Sequence, residues 1–145
     1  VRGGSYGGYM VLASMVHFSS KLRCGVENVG ISNFVTFLTN TGKYRVKNRR
    51  LIYGDETNTQ MREFLLKISP TTRANEINKP MLIGQGANDP RVPMSEAEQI
   101  VRAVRGNGVQ CGYVWAADEG HGFKKKSNIA LWTNCTIEFL QKHLL

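Results

Sequence analysis

A chain of 145 residues that is 41% hydrophobic holds enough apolar mass for one domain with its own core, and too little length for two. Its formal charge of +8 makes nucleic acid a partner to consider, while the lack of any apolar run near ~20 residues excludes a membrane-spanning helix. Three widely spaced cysteines, Cys24, Cys111 and Cys135, fit neither a zinc pattern nor a disulfide framework; they read as free thiols of a reducing compartment, so the expected location is cytoplasmic.

The opening Val1-Arg2-Gly3-Gly4 has no apolar core of a secretory leader. Gly3-Gly4-Ser5-Tyr6-Gly7-Gly8 follows a residual first strand and contains the Gly-x-Ser-x-Gly pattern of a nucleophile elbow. There a serine sits on a strained strand-to-helix turn at positive φ, so positions two before and two after it are expected to be small. From Gly7 to about Ser20, Tyr9, Met10, Ala13, Val16 and His17 recur at helical spacing. Cys24 to Ser32 reads as a short strand weakened by Gly25 and Gly30.

Residues 33–59 are expected to be irregular, a loop or short-helix insertion. Within them Lys43, Arg45, Lys47, Arg49 and Arg50 supply much of the positive charge, and Lys124-Lys125-Lys126 adds more. The expectation is a solvated basic face and no nucleic-acid partner. No recognition motif is present, and too few aromatic residues interleave with the charges to stack bases. Met61, Phe64, Leu65 and Ile68 predict a helix over 56–69, stopped before Pro70. Met81 to Gly86, an apolar run bounded by Pro80 and Gly86, reads as a buried parallel strand.

Ser95 with Glu98 three residues on forms a capping box for a helix over 95–105, with Gly106 as its carboxyl-terminal cap. Val109 to Ala116 is strand-like. Ser127 is expected to cap a last helix that turns Ile129, Trp132, Thr136, Phe139 and Leu140 inward. Strands alternating with helices predict an α/β protein with a mostly parallel sheet covered on both faces.

Parallel sheets collect ligands at the carboxyl ends of their strands, and Ser5, Asp89 and His121 all fall there in this reading. A serine hydroxyl is a poor nucleophile until a base takes its proton. A histidine ring can do so near neutral pH, and a carboxylate can hold that ring's tautomer. Each residue also has a plainer role open to it: Ser5 as a turn serine, Asp89 as an Asx-turn residue before Pro90, His121 as a loop histidine bonded to backbone. Asp118 competes for the acid's part but lies only three residues from His121, and His17 and His143 sit inside helical patterns.

Five segments carry a family resemblance over nearly the whole chain. Gly3 to Met10 resembles the nucleophile segment of the prolyl oligopeptidase family, in its dipeptidyl aminopeptidase and acylaminoacyl peptidase branches. Tyr53-Gly54-Asp55 and Ser69-Pro70 resemble its linking landmarks. Ile83 to Pro93 resembles its acid loop, and Glu119-Gly120-His121-Gly122-Phe123 its histidine loop. The resemblance implies a serine hydrolase of peptidase ancestry acting through an acyl-enzyme, with Ser5 as nucleophile, Asp89 as orienting acid and His121 as base. It gives the Tyr6 backbone N–H one place in the oxyanion hole and gives Arg91 a substrate carbonyl to hold. It implies neither metal nor other cofactor.

Members also carry an upstream His-Gly-Gly segment with an oxyanion tyrosine, and a β-propeller, which these 145 residues do not contain. A missing oxyanion donor costs about 10²–10³ in rate, so short esters are expected substrates ahead of peptides. The alternative is a weak or inactive fragment or scaffold. The resemblance makes residues 1–145 the carboxyl-terminal half of an α/β-hydrolase domain without a propeller. Its four strands are then consecutive neighbours and leave an open edge, to be completed in a homo-oligomer.

Overall fold

The computed structural model describes residues 1–145. Its elements run β1 (Arg2–Gly4), α1 (Tyr6–Phe18), β2 (Gly25–Asn28), α2 (Phe34–Asn40), α3 (Lys43–Tyr53), α4 (Thr59–Ile68), β3 (Met81–Gly86), α5 (Met94–Gly106), β4 (Cys111–Ala116) and α6 (Lys126–Leu144). The strands pair in the order β1-β2-β3-β4, all parallel, with Gly3 opposite Glu27, Glu27 opposite Ile83 and Ile83 opposite Tyr113. Parallel strands with helical crossovers are what the alternation of elements predicts, and their consecutive order is what the family resemblance implies.

Alternation along β3 divides the core. Met81 and Ile83 face α1 and α5, packing with Val11, Leu12, Met15, Ile100 and Val104. Leu82 faces the other way, onto Val26, Trp132 and Phe139. A third cluster, built from Ile31, Phe34, Phe37, Leu38, Leu65 and Val92, roofs one end of the sheet with α2 and α4. No helix is long and apolar enough to cross a membrane.

The structure departs from the sequence reading mainly at element ends. β2 stops at Asn28 because Val29 takes a φ of 51°, so Ile31 and Ser32 belong to a loop. Residues 33–59 hold two helices: α2, capped by the Asn33 side chain on the Val35 and Thr36 N–H groups, and α3, which buries no residue. α4 starts at Thr59, capped by Asn58.

The expected capping box of α5 does not form. The helix begins at Met94 after Pro93, whose ring sets a φ suited to helix entry, and no side chain caps it. The carboxylate that matters there is Glu96, turned inward to accept from the N–H groups of Ser32 (3.1 Å) and Asn33 (2.8 Å) and from the hydroxyl of Thr36. It thereby ties α5 to the loop after β2. At the other end Gly106 is the last helical residue, and the left-handed turn falls on Gly108. Ser127 does not cap α6 either: the helix starts at Lys126, and the preceding Lys124 and Lys125 N–H groups donate to Glu119 Oε1 instead. Ile129 is exposed, since the contact stripe of α6 begins at Trp132, whose ring lies over Gly84.

Candidate active site

Ser5 stands between β1 and α1 at φ 57°, a left-handed conformation that costs a non-glycine residue energy and persists only where the surroundings enforce it. Here the Ser5 N–H donates to Asn28 O (2.9 Å) on β2, while its carbonyl accepts from Gly8 and Tyr9 and so opens α1. The sharpness of the turn brings backbone against backbone. A Cβ on Gly3 would lie 2.4 Å from Gly7 O, and one on Gly8 would lie 2.6 Å from the Gly30 Cα. A Cβ on Gly7 would meet nothing, so the tight positions are two before the serine and three after it, not two after. Gly7→Ala is therefore expected to keep the melting temperature within a few degrees, whereas Gly8→Ala must move the loop after β2 and should lose roughly 2–4 kcal/mol. Thermal melts of the two variants side by side check this.

Asp89 lies in the loop after β3 with its carboxylate fully buried. Its Oδ1 accepts from the N–H groups of Arg91 (2.8 Å) and Val92 (3.0 Å). That is the Asx-turn role, and it occupies one oxygen only. The other, Oδ2, is 2.7 Å from His121 Nδ1, and His121 Nε2 is 2.9 Å from Ser5 Oγ. Three side chains spread over 116 residues of chain thus form one hydrogen-bonded line.

The loop that carries His121 is fixed to the end of β3. The Asn88 N–H donates to Glu119 O (2.9 Å), and a Cβ on Gly86 would lie 2.1 Å from Gly120 O. Glu119 itself folds under the start of α6. Its carboxylate accepts from Asn128 Nδ2 (3.0 Å) as well as from Lys124 and Lys125, and these bonds, that from Asn128 foremost, hold it below the usual carboxylate range. Asp118 points away, onto Lys125 Nζ (2.6 Å) and Asn128, and takes no part in orienting His121. His17 meets Arg73 on the outside of α1, and His143 packs on Phe139.

Tyr6, the first residue of α1, has a half-exposed ring and a backbone N–H that the helix leaves without an intrahelical acceptor. Arg91 is exposed beside the acid loop and its side chain makes no ion pair. Neither Ser5 nor His121 lines any of the chain's cavities. No group of three or more His, Cys, Asp and Glu side chains is placed to hold a metal ion.

Two contributors lie outside the residues given a site role from sequence. Tyr53, at the end of α3, stacks on Tyr6 with centroids 6.2 Å apart and an interplanar angle of 20°. Glu27, on β2, is completely buried beside the elbow and accepts from the Gly30 N–H (2.8 Å) with one oxygen while the other has no partner. Tyr53 stands within a landmark motif. The signal for Glu27 is a lone carboxylate inside an apolar strand.

A parallel sheet, a serine at a strained strand-to-helix turn and a histidine loop past the last strand define an α/β-hydrolase fold. The family model described as "Prolyl oligopeptidase family" matches residues 1–145, and the chain belongs to that family of serine peptidases. It is 40% identical over 147 residues to dipeptidyl aminopeptidase BIII of Pseudoxanthomonas mexicana, covering 99% of this chain and 21% of that protein. It is 36% identical over 132 residues to dipeptidyl peptidase family member 6 of Caenorhabditis elegans, covering 88% and 18%. Among solved structures, a puromycin-hydrolyzing peptidase of Mycobacterium tuberculosis superposes with a TM-score of 0.86 at 27% identity, covering 99% of this chain and 21% of that one. The chain spans about a fifth of the length of these relatives.

Proposed function

We propose that residues 1–145 form the carboxyl-terminal part of a serine peptidase's catalytic domain and carry its triad: Ser5 as nucleophile, His121 as general base and Asp89 as the group that orients it. The observation that carries this reading is the line from the Ser5 hydroxyl through His121 to Asp89, at 2.9 Å and 2.7 Å. Ser5 Oγ attacks the scissile carbonyl carbon as its proton passes to His121 Nε2. Asp89 keeps the other ring proton on Nδ1 and stabilises the imidazolium. The developing oxyanion accepts from the Tyr6 N–H. His121 then returns its proton to the leaving nitrogen, the carbon–nitrogen bond breaks, and water attacks the acyl-enzyme with His121 again as base.

Peptides are the substrates this reading favours, as the dipeptidyl names of two relatives suggest. Short activated esters also serve, since their leaving groups need less help. Arg91, exposed at the rim, is assigned a substrate carbonyl. The competing reading is a scaffold that retains the three residues without turnover. A fluorophosphonate probe separates the two. Labelling mapped to Ser5 by mass spectrometry is the expected result, and an intact protein that stays unlabelled overturns the triad. A homo-oligomer belongs to the same proposal, and a monomer in sedimentation velocity at micromolar concentration rules it out.

A further inference from the structure

α3 contains five basic residues and no acidic one. Only Arg50 meets carboxylates, those of Glu56 and Asp55; Lys43, Arg45, Lys47 and Arg49 form no ion pair. An unbalanced run of this kind repels itself along the helix. The run is not simply a solvated face, because both ends of α3 touch the site. Gly42, immediately before it, donates its N–H to Pro90 O (3.2 Å) in the acid loop. Tyr53, its last residue, stacks on the residue that follows the nucleophile.

Positions 42, 45, 49 and 53 recur at spacings of three, four and four, so they share one helix face. That face runs from the acid loop to the elbow with Arg45 and Arg49 between its two anchors. Both arginines are half-buried, whereas Lys43 and Lys47 are exposed. The Arg49 guanidinium lies over the rings of Phe37 and Tyr53, 5.4 and 5.8 Å from their centroids, and donates to the Tyr53 hydroxyl (3.4 Å). Arg45 lies over Tyr44 at 5.1 Å and donates to its hydroxyl (3.0 Å). The rings hold the flat faces of the guanidinium groups and leave most of their N–H donors, and their charge, unanswered.

We infer that this face selects peptides bearing a carboxylate near the bond that Ser5 attacks, with Arg45 and Arg49 as the residues that read it. The inference rests on Ser5 being the nucleophile. A carboxylate bound there accepts the free guanidinium donors as charge-assisted hydrogen bonds and relieves the repulsion between the two arginines.

The test uses octapeptides that differ only in Glu against Gln at successive positions about the cleaved bond, with the intact protein. At one or more positions Glu is expected to raise kcat/KM by about tenfold, a preference that weakens with salt. In the Arg45→Gln/Arg49→Gln variant the ratio of Glu to Gln rates should fall towards one, and in Arg45→Lys/Arg49→Lys it should largely survive. Taking the ratio cancels any general damage from the substitutions. No Glu preference at any position, or a preference unchanged in the Gln variant, overturns the inference. Inhibition of both peptides alike by a single-stranded oligonucleotide, without a Glu preference, assigns the face to nucleic acid and overturns it as well. Probe labelling at Ser5 keeps the two readings apart: a labelled protein without preference loses only this inference, and an unlabelled one loses the triad.

Discussion

Ser5→Ala is expected to remove all fluorophosphonate labelling and to lower kcat/KM for p-nitrophenyl esters and peptides by about 10⁴–10⁶. His121→Ala should fall as far, and the double variant no further, because in the proposed mechanism the two act in one proton transfer. Asp89→Asn is the more informative change. Asp89 Oδ1 accepts from two backbone N–H groups, of Arg91 and Val92. An asparagine has a single side-chain oxygen, and the loop requires it at that position. Its amide NH₂ then faces His121 Nδ1 and donates to it. The ring is left with its proton on Nε2, where it can no longer accept one from Ser5. A loss of about 10⁴ in kcat with little change in melting temperature is expected. Full ester turnover by any of the three variants would remove that residue from the mechanism.

The second large effect concerns stability and pH. Glu27 is buried on β2 with one hydrogen bond, from the Gly30 N–H, and a second oxygen without a partner. A Cβ on Gly30 would lie 2.6 Å from its Oε2, and one on Gly8 3.0 Å, so two glycines make room for the carboxyl. Desolvation pushes its pKa up to about 8 from an ordinary 4.5, against a smaller lowering by the Gly30 bond. The folded protein therefore keeps a proton that the unfolded chain releases above about 4.5. Stability drawn from this group falls as pH rises from about 4.5 to about 8, and then levels. The change is on the order of a few kcal/mol, or roughly 10 °C in melting temperature. In Glu27→Gln the amide oxygen still accepts from Gly30 and nothing titrates. Relative to the parent, the variant should gain stability steadily between pH 5 and pH 8. Melting temperatures that run parallel over that range would refute a neutral carboxyl at this position. Neighbouring Cys111 and Tyr113, both pushed up to about 12 mainly by burial, do not titrate there.

Much of the site was legible in the sequence because its residues are held by short local motifs. Gly-x-Ser-x-Gly marks the strand-to-helix turn, although of its two glycines only Gly3 is sterically required, and the loops of Asp89 and His121 each follow an apolar run. Capping was read less well. Ser95-x-x-Glu98 has the form of a capping box, yet Pro93 starts the helix and Glu96 turns to the loop after β2. Ser127 has a capping side chain, yet the acceptor before α6 is Glu119, from beyond the helix. In the first case the helix opens without a side-chain cap and its buried Glu96 serves another segment, and in the second a buried carboxylate from the preceding loop takes the N–H groups just ahead of the helix. Residues 33–59 lack a strong apolar period because α3 buries nothing, and a helix without a buried stripe leaves little trace in hydrophobic spacing.

The order of residue types along the chain was enough to determine the alternating elements, the parallel sheet, and which serine, aspartate and histidine stand at its carboxyl rim, since each follows from spacing within a dozen or so residues. Tertiary structure alone decided that both oxygens of Asp89 are engaged, that Glu27 loses its water, and that Arg45 and Arg49 lie on the face joining the acid loop to the elbow. Those facts depend on which surfaces meet across long stretches of chain, and desolvation and charge proximity are properties of that meeting rather than of any segment in it.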